Sequence, residues 1–153
     1  MDQILFSVRQ QSEIWVIDHS TTTEEAAGHT GGNRGKGGDL LYRWGNPAVY
    51  RAGSSADQQL FVQHDAEWIE SGYPGEGNIL IFNNGDGRAD GEYSAIMEIE
   101  PPVDSSGNYA LTLGEAYGPA APVWSYTASP STDFYADHIS GQQRQPNGNT
   151  LKA

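Results

Sequence analysis

The sequence predicts an all-β chain built from short antiparallel strands. Three observations carry that reading. With 19 Gly and 8 Pro in 153 residues, helix-breaking and turn-forming residues interrupt the chain too often for long helices. The apolar residues fall into short runs rich in β-branched and aromatic side chains, bounded by Gly, Pro, Asn, Asp and Ser. The order of those runs also repeats along the chain.

Taken in order, Ile4-Leu5-Phe6-Ser7-Val8 and Glu13-Ile14-Trp15-Val16-Ile17 read as a hairpin, with Gln10-Gln11-Ser12 as its tight connection. The polar stretch from Ser20 to Gly38 reads as a long exposed loop, in which Thr23-Glu24-Glu25-Ala26-Ala27 hints at a helical turn. Residues 39–44 resume the strand pattern. Further strands are expected at 60–63, 78–82, 93–99, 122–126 and 134–139, with turns at Gly72-Tyr73-Pro74-Gly75 and Asn84-Gly85-Asp86-Gly87.

The runs at 3–6, 13–17 and 41–44 have the same grammar as those at 78–82, 96–99 and 123–126. A third copy opens at Asn147-Gly148-Asn149-Thr150-Leu151. Repeated antiparallel strands ending in an aromatic outer strand suit a β-propeller, in which each blade takes about 40–50 residues. A β-sandwich also uses short strands at regular spacing. On the propeller reading, residues 1–153 form one partial domain of about three blades. A closed ring needs at least about four, so a fragment of a larger ring is expected, its open strand edges covered by what lies beyond.

Charge narrows the partners. Eight Lys and Arg against 20 Asp and Glu give a formal net charge of −12, which a phosphate backbone would meet with repulsion, so no nucleic-acid partner is expected. No apolar run approaches the ~18 residues of a membrane span, and Met1-Asp2-Gln3 lacks the basic start of a secretory signal. Without Cys there is no thiolate nucleophile, disulfide or cysteine metal site.

Four His remain as the groups that titrate near neutrality. His64, in Gln63-His64-Asp65-Ala66, is expected directly after a strand, and the following strand ends in Asn83-Asn84-Gly85-Asp86-Gly87-Arg88. An imidazole among carboxamides, a carboxylate and a guanidinium on neighbouring strand ends suits covalent or acid–base work on an anionic group. The plainer reading is a His bonded to Asp65 or to backbone as a staple between strands.

The run Gln63-His64-Asp65-Ala66, the spacer Gly72-Tyr73-Pro74-Gly75 and the stretch from Gly77 to Arg88 resemble the bacterial arylsulfate sulfotransferase family, and the likeness extends over most of residues 2–151. The resemblance implies a six-bladed β-propeller that moves a sulfuryl group from an aryl sulfate to a phenol without a nucleotide donor or other cofactor. His64 then falls on the transiently sulfated nucleophile. The strand from Ile4 to Arg9 resembles the family strand ending in Ser-x-Arg, which makes Arg9 the sulfate-binding residue. The family's further histidines, in a His-x-Asn-Ser-like segment upstream of that strand, have no counterpart here. The fragment alone is therefore expected to be inactive, although its parent would be an enzyme. Aryl sulfates and phenols are the implied partners, and the periplasm or the exterior the implied location. A non-catalytic propeller that only binds is the competing expectation.

Other residues carry less. His19, in Asp18-His19-Ser20, follows a strand end and is a candidate substrate-binding residue, against a turn-capping role. His29 and His138 are weaker candidates. The stretch Gly31-Gly32-Asn33-Arg34-Gly35-Lys36-Gly37-Gly38 lacks the strand and helix of a phosphate-binding loop. Asp86, Asp90 and Glu92 lack the spacing of a calcium loop, so no metal is expected. Trp44, Trp68 and Trp124 read as packing residues.

Overall fold

A computed structural model describes residues 2–153, and in it nine strands form three antiparallel sheets, none of which closes on itself. The first sheet holds β1 (Gln3–Val8), β2 (Glu13–Asp18) and β3 (Tyr42–Trp44) in that order. The second holds β4 (His64–Trp68), β5 (Ile79–Asn83), β6 (Ala95–Ile99) and β7 (Trp124–Tyr126), again in order. The third pairs β8 (Gln142–Arg144) with β9 (Thr150–Lys152). The all-β expectation holds at this level.

The hairpin is as expected, with β1 and β2 paired from Gln3↔Asp18 to Val8↔Glu13. Its connection is a 3₁₀ turn, Arg9–Gln11, which Ser12 closes at φ 54° by donating its backbone N–H to the Arg9 carbonyl. The hinted helical turn is α1 (Thr23–Ala26). Thr22 accepts from the Glu25 N–H while the Glu25 carboxylate accepts from the Thr22 N–H, a reciprocal cap that stabilises so short a helix.

The middle sheet holds the core. Every residue of β5 and β6 is buried, because both faces are covered. Ile79, Ile81, Met97 and Ile99 pack on one face with Ile14, Val16, Tyr42 and Leu60. Leu80, Phe82 and Ile96 pack on the other with Ile69 and Phe134. Alternate residues thus serve two apolar layers, the period of a strand buried on both sides. A buried pair also ties the second sheet to the third: the Arg144 guanidinium in β8 bonds the Glu98 carboxylate in β6, which also accepts from Asn78 Nδ2 (2.7 Å).

The internal echo has a definite register. Val8↔Glu13 and Ile14↔Trp44 in the first sheet correspond to Asn83↔Ala95 and Ile96↔Tyr126 in the second. Arg9 therefore occupies the position that Asn84 occupies one repeat later. β1 packs beside β4, and β5 beside β8, at equivalent places.

Two strand expectations are corrected and one strand is new. Residues 60–63 are not a strand. Leu60 and Gln63 are buried, but Leu60 N–H donates to the Gly45 carbonyl, Phe61 N–H to Asn83 Oδ1, and Val62 turns at φ 48°. The strand is β4, so His64 opens a strand instead of following one. Residues 134–139 are a loop hung on Ser94, whose N–H donates to the Phe134 carbonyl and whose Oγ accepts from Ala136 N–H. The polar β8 was not expected. The strands expected at 39–44, 93–99 and 122–126 are each shorter than their apolar runs.

Candidate active site

His64 faces Phe82 across the ladder, and the next pair is Glu67↔Leu80, so Asp65 and Ala66 bulge against one partner residue. Asp65 takes the bulge at φ 49°, a left-handed conformation that Asp tolerates better than most residues. The bulge frees the Asp65 carboxylate to reach β8, where it accepts the Gln142 N–H (3.0 Å), and Gln142 Nε2 donates to the Asp65 carbonyl (2.5 Å).

Asn84 fixes the imidazole. Its Nδ2 donates to the carbonyls of Ala136 (2.7 Å) and Ile139 (3.1 Å), so only its Oδ1 is turned to His64, 2.8 Å from Nδ1. His64 must therefore donate from Nδ1, and in the neutral ring Nε2 keeps its lone pair. That pair has no hydrogen-bond partner among the described residues. The exposed His138 stands edge-on to His64, with ring centroids 5.4 Å apart.

The Asn84 to Arg88 turn is built for close approach. Gly85 adopts φ 86°, and a Cβ there would collide with the Tyr93 carbonyl oxygen, so this position requires glycine. Gly85 N–H donates to the Phe61 carbonyl (3.0 Å), which brings the turn against the segment leading into His64. Arg88 lies over the rings of Tyr93 (4.5 Å) and Phe61 (4.9 Å). Burial lowers its pKa, opposed by Tyr93 and Asp90.

Arg9 stands at the same end of the sheets. Ser7 Oγ donates to the Gln63 carbonyl (3.4 Å) and Gln63 Nε2 to the Glu13 carbonyl (2.6 Å), which seats the end of β1 against the residue preceding His64. No hydrogen bond joins Arg9 to His64 among the described residues. Arg43 and Arg144 are each paired with a buried carboxylate, Glu13 and Glu98, whereas Arg9 and Arg88 have no carboxylate partner among the described residues. The Nε of each is buried without a hydrogen bond. Two guanidiniums that make no salt bridge among the described residues therefore stand at the end of the sheets that holds His64. Planar, multiply donating groups of this kind suit a tetrahedral oxyanion.

The other candidates lie elsewhere. The ladder that puts Val8 beside Glu13 puts Gln3 beside Asp18, so His19 stands at the opposite end of the first sheet from Arg9, beyond the roughly 16 Å that the ladder spans along the strands. There its Nδ1 meets Asp2 Oδ1 at 2.9 Å, exposed. The turn cap is its neighbour Asp18, which accepts from Ser20 N–H (2.9 Å) and Arg34 N–H (2.9 Å). His29 is exposed beside Asp39. Asp90 accepts from the Tyr93 hydroxyl (3.1 Å). Among the described residues no three His, Asp or Glu are arranged to hold a metal ion, and no helix is long and apolar enough to cross a membrane.

Sequence reading placed His64, Asn84 and Arg88 in one motif but ranked His138 low and did not link it to His64. A contact made through the loop that follows β7 leaves no spacing signal in the chain. Compared with known proteins, the whole chain, residues 1–153, matches the family model described as Arylsulfotransferase (ASST). No curated protein and no solved structure matches it.

Proposed function

The chain belongs to the arylsulfotransferase family, and on that premise we propose that its sheets are blades of a propeller whose His64 end transfers a sulfuryl group from an aryl sulfate to a phenol. The observation that carries the reading is the lock of His64 Nδ1 on Asn84 Oδ1, which leaves Nε2 as a free lone pair at the end of the sheets where Arg9 and Arg88 make no salt bridge among the described residues.

In the first half-reaction Nε2 attacks sulfur in line, the S–O bond to the aryl group breaks, and the aryloxide leaves with that electron pair. Arg9 and Arg88 hold the sulfuryl oxygens as charge shifts among them. In the second half the phenol oxygen attacks sulfur, the N–S bond breaks, and the pair returns to Nε2. The leaving aryloxide needs a proton and the incoming phenol must lose one. His138, edge-on to His64, is the second imidazole placed to carry it. Splitting the transfer through a covalent intermediate gives ping-pong kinetics.

The test uses the full-length protein that carries this sequence. Incubation with 4-nitrophenyl sulfate and no phenol should add one sulfuryl mass to the peptide containing His64, in an acid-labile form. His64→Asn should abolish the label and the turnover while keeping the thermal midpoint. A label mapped to His138, or full turnover by His64→Asn, overturns the assignment of His64. Saturable binding of the aryl sulfate with no turnover in the wild type would leave the chain a binding module.

A further inference from the structure

At the outer margin of the first sheet, beyond the end of β3, lies a cavity of about 320 Å³ that the sulfuryl-transfer reading does not use. Two separately anchored loops wall it. One runs from Asn46 to Asp57. Asn46 Nδ2 holds it to the Gln11 carbonyl (3.2 Å), and the Ser54–Asp57 cap holds its far end, with Ser54 N–H donating to Asp57 Oδ2 (2.7 Å). The other is the 116–120 segment, held by Tyr42 Oη donating to the Gly118 carbonyl (2.7 Å) and Trp44 Nε1 to the Pro119 carbonyl (2.7 Å). Tyr117 N–H donates to the Tyr50 hydroxyl (3.3 Å) and joins the two walls. The cavity is therefore preformed, and its volume lies within the range of small-molecule sites.

Its chemistry is selective. Tyr50, Tyr117, Pro47 and Pro119 supply flat apolar walls, Asp57 supplies a carboxylate, and no Lys or Arg lines the space. Arg43 lies behind the Tyr50 ring at 4.1 Å and is neutralised by the buried Glu13, and the exposed Arg51, between Tyr50 and Ala52 on the same loop, does not line the space. Only Oδ2 of Asp57 is used in the cap, so Oδ1 remains an open acceptor. Hydrogen bonds from the Ser54 N–H and hydroxyl lower the Asp57 pKa and keep it ionised at neutral pH. An aryl sulfate or aryl carboxylate would bring a second negative charge to Asp57 with no cation in the lining to offset it. A cation with an apolar ring meets a carboxylate at one end and aromatic and proline faces around its body.

We propose that this cavity is a binding site for a small arylalkylammonium ion, its ring against Tyr117 and the two prolines and its ammonium on Asp57 Oδ1. The cavity lies at the Arg9 end of the first sheet but shares no lining residue with Arg9, His64, Arg88 or His138, so its occupation is read apart from the transfer chemistry.

The probe is 2-phenylethylamine, which has no phenolic hydroxyl and cannot accept a sulfuryl group. Its uncharged analogue 2-phenylethanol and its anionic analogue phenylacetate are the comparators, followed on the full chain by calorimetry at low and high salt. The amine should bind saturably, roughly tenfold more tightly than the alcohol at low salt, the size of a partly screened ion pair with a cation–π contact. Phenylacetate should not bind, and added salt should narrow the gap between amine and alcohol. Asp57→Asn should bring the amine down to the alcohol. Ser54→Ala loosens the cap but keeps the charge, and should retain the preference. Ala120→Trp, at an exposed wall position, should abolish binding with the thermal midpoint unchanged. Equal affinity for amine and phenylacetate, or amine binding untouched by both Asp57→Asn and Ala120→Trp, overturns the site.

Discussion

Asn84 decides which nitrogen of His64 is available. Both amide hydrogens are committed to main-chain carbonyls of the loop after β7, so the amide cannot turn, and the imidazole keeps one tautomer. Asn84→Ala leaves those partly exposed carbonyls without donors, and stability should fall by about 1 kcal/mol, the net worth of ordinary hydrogen bonds whose acceptors water can reach. Nitrogen chemical shifts of His64 should then change from the Nδ1–H form in the wild type to a mixture of tautomers. An unchanged single tautomer would show that something other than Asn84 sets it. Arg88 offers a second residue-scale test, because a guanidinium between Phe61 and Tyr93 has a shape that an ammonium lacks. Arg88→Lys keeps the charge, yet KM for an aryl sulfate should rise about tenfold, one lost charge-assisted hydrogen bond, with kcat changed less. A KM within twofold of the wild type would remove Arg88 from the proposed anion site. His64 and Arg88 were legible as a motif. What Asn84 holds was not, since Ala136 and Ile139 sit in a segment whose aromatic residues read as a strand.

At the scale of elements, the misread strands share one cause. Leu60 is apolar because it packs in the core beneath Gly45 while Phe61 and Val62 are half-buried, and the backbone amides of all three are satisfied by a turn carbonyl and by Asn83 and Ser12 side chains instead of a ladder. β8, with Gln142, Gln143 and Arg144, has no apolar alternation to announce it. Asp65, Glu98 and the β9 ladder hold it. Side-chain partners far along the chain made these elements, and no local pattern encodes them. The hairpin, β5, β6 and the turn at Gly85 were legible because hydrophobic periodicity and turn chemistry alone fix them. Asp65→Ala should test the clasp between the second and third sheets. It removes the acceptor of the Gln142 N–H, so amide exchange in β8 and β9 should speed up while β1 and β2 keep their protection. Equal loosening of all three sheets would mean that Asp65 serves the whole fold.

Across the whole molecule, the long connection from β6 to β7 leaves the second sheet and lies over the first. Tyr109 stacks on Tyr42 at 4.8 Å and donates its hydroxyl to Gln3 Oε1 (2.9 Å). Tyr117 meets Tyr42 edge-on at 5.4 Å, Tyr42 Oη donates to the Gly118 carbonyl, and Arg34 reaches the Ser106 carbonyl. Three tyrosines thus couple the two larger sheets. The echo in the sequence revealed the two sheets but could not reveal this strap, because its residues fall between the repeats. Burial raises the pKa of each: Tyr109 is pushed up to about 12, Tyr42 lies well above its ordinary value with Tyr109 adding to the effect, and Tyr117 is raised less. In the unfolded chain a tyrosine loses its proton near pH 10. A folded-state pKa above that value means the stabilisation is complete below about pH 10 and is lost as pH rises through the folded value. The thermal midpoint should therefore be flat through neutral pH and fall between about pH 10 and 12, with the strap and the first sheet loosening together. Tyr42→Phe with Tyr109→Phe will start from a lower midpoint, since two hydrogen bonds are lost, but its decline across that window should be shallower than the wild type's. Parallel curves for the two proteins would place the alkaline transition outside the tyrosine strap.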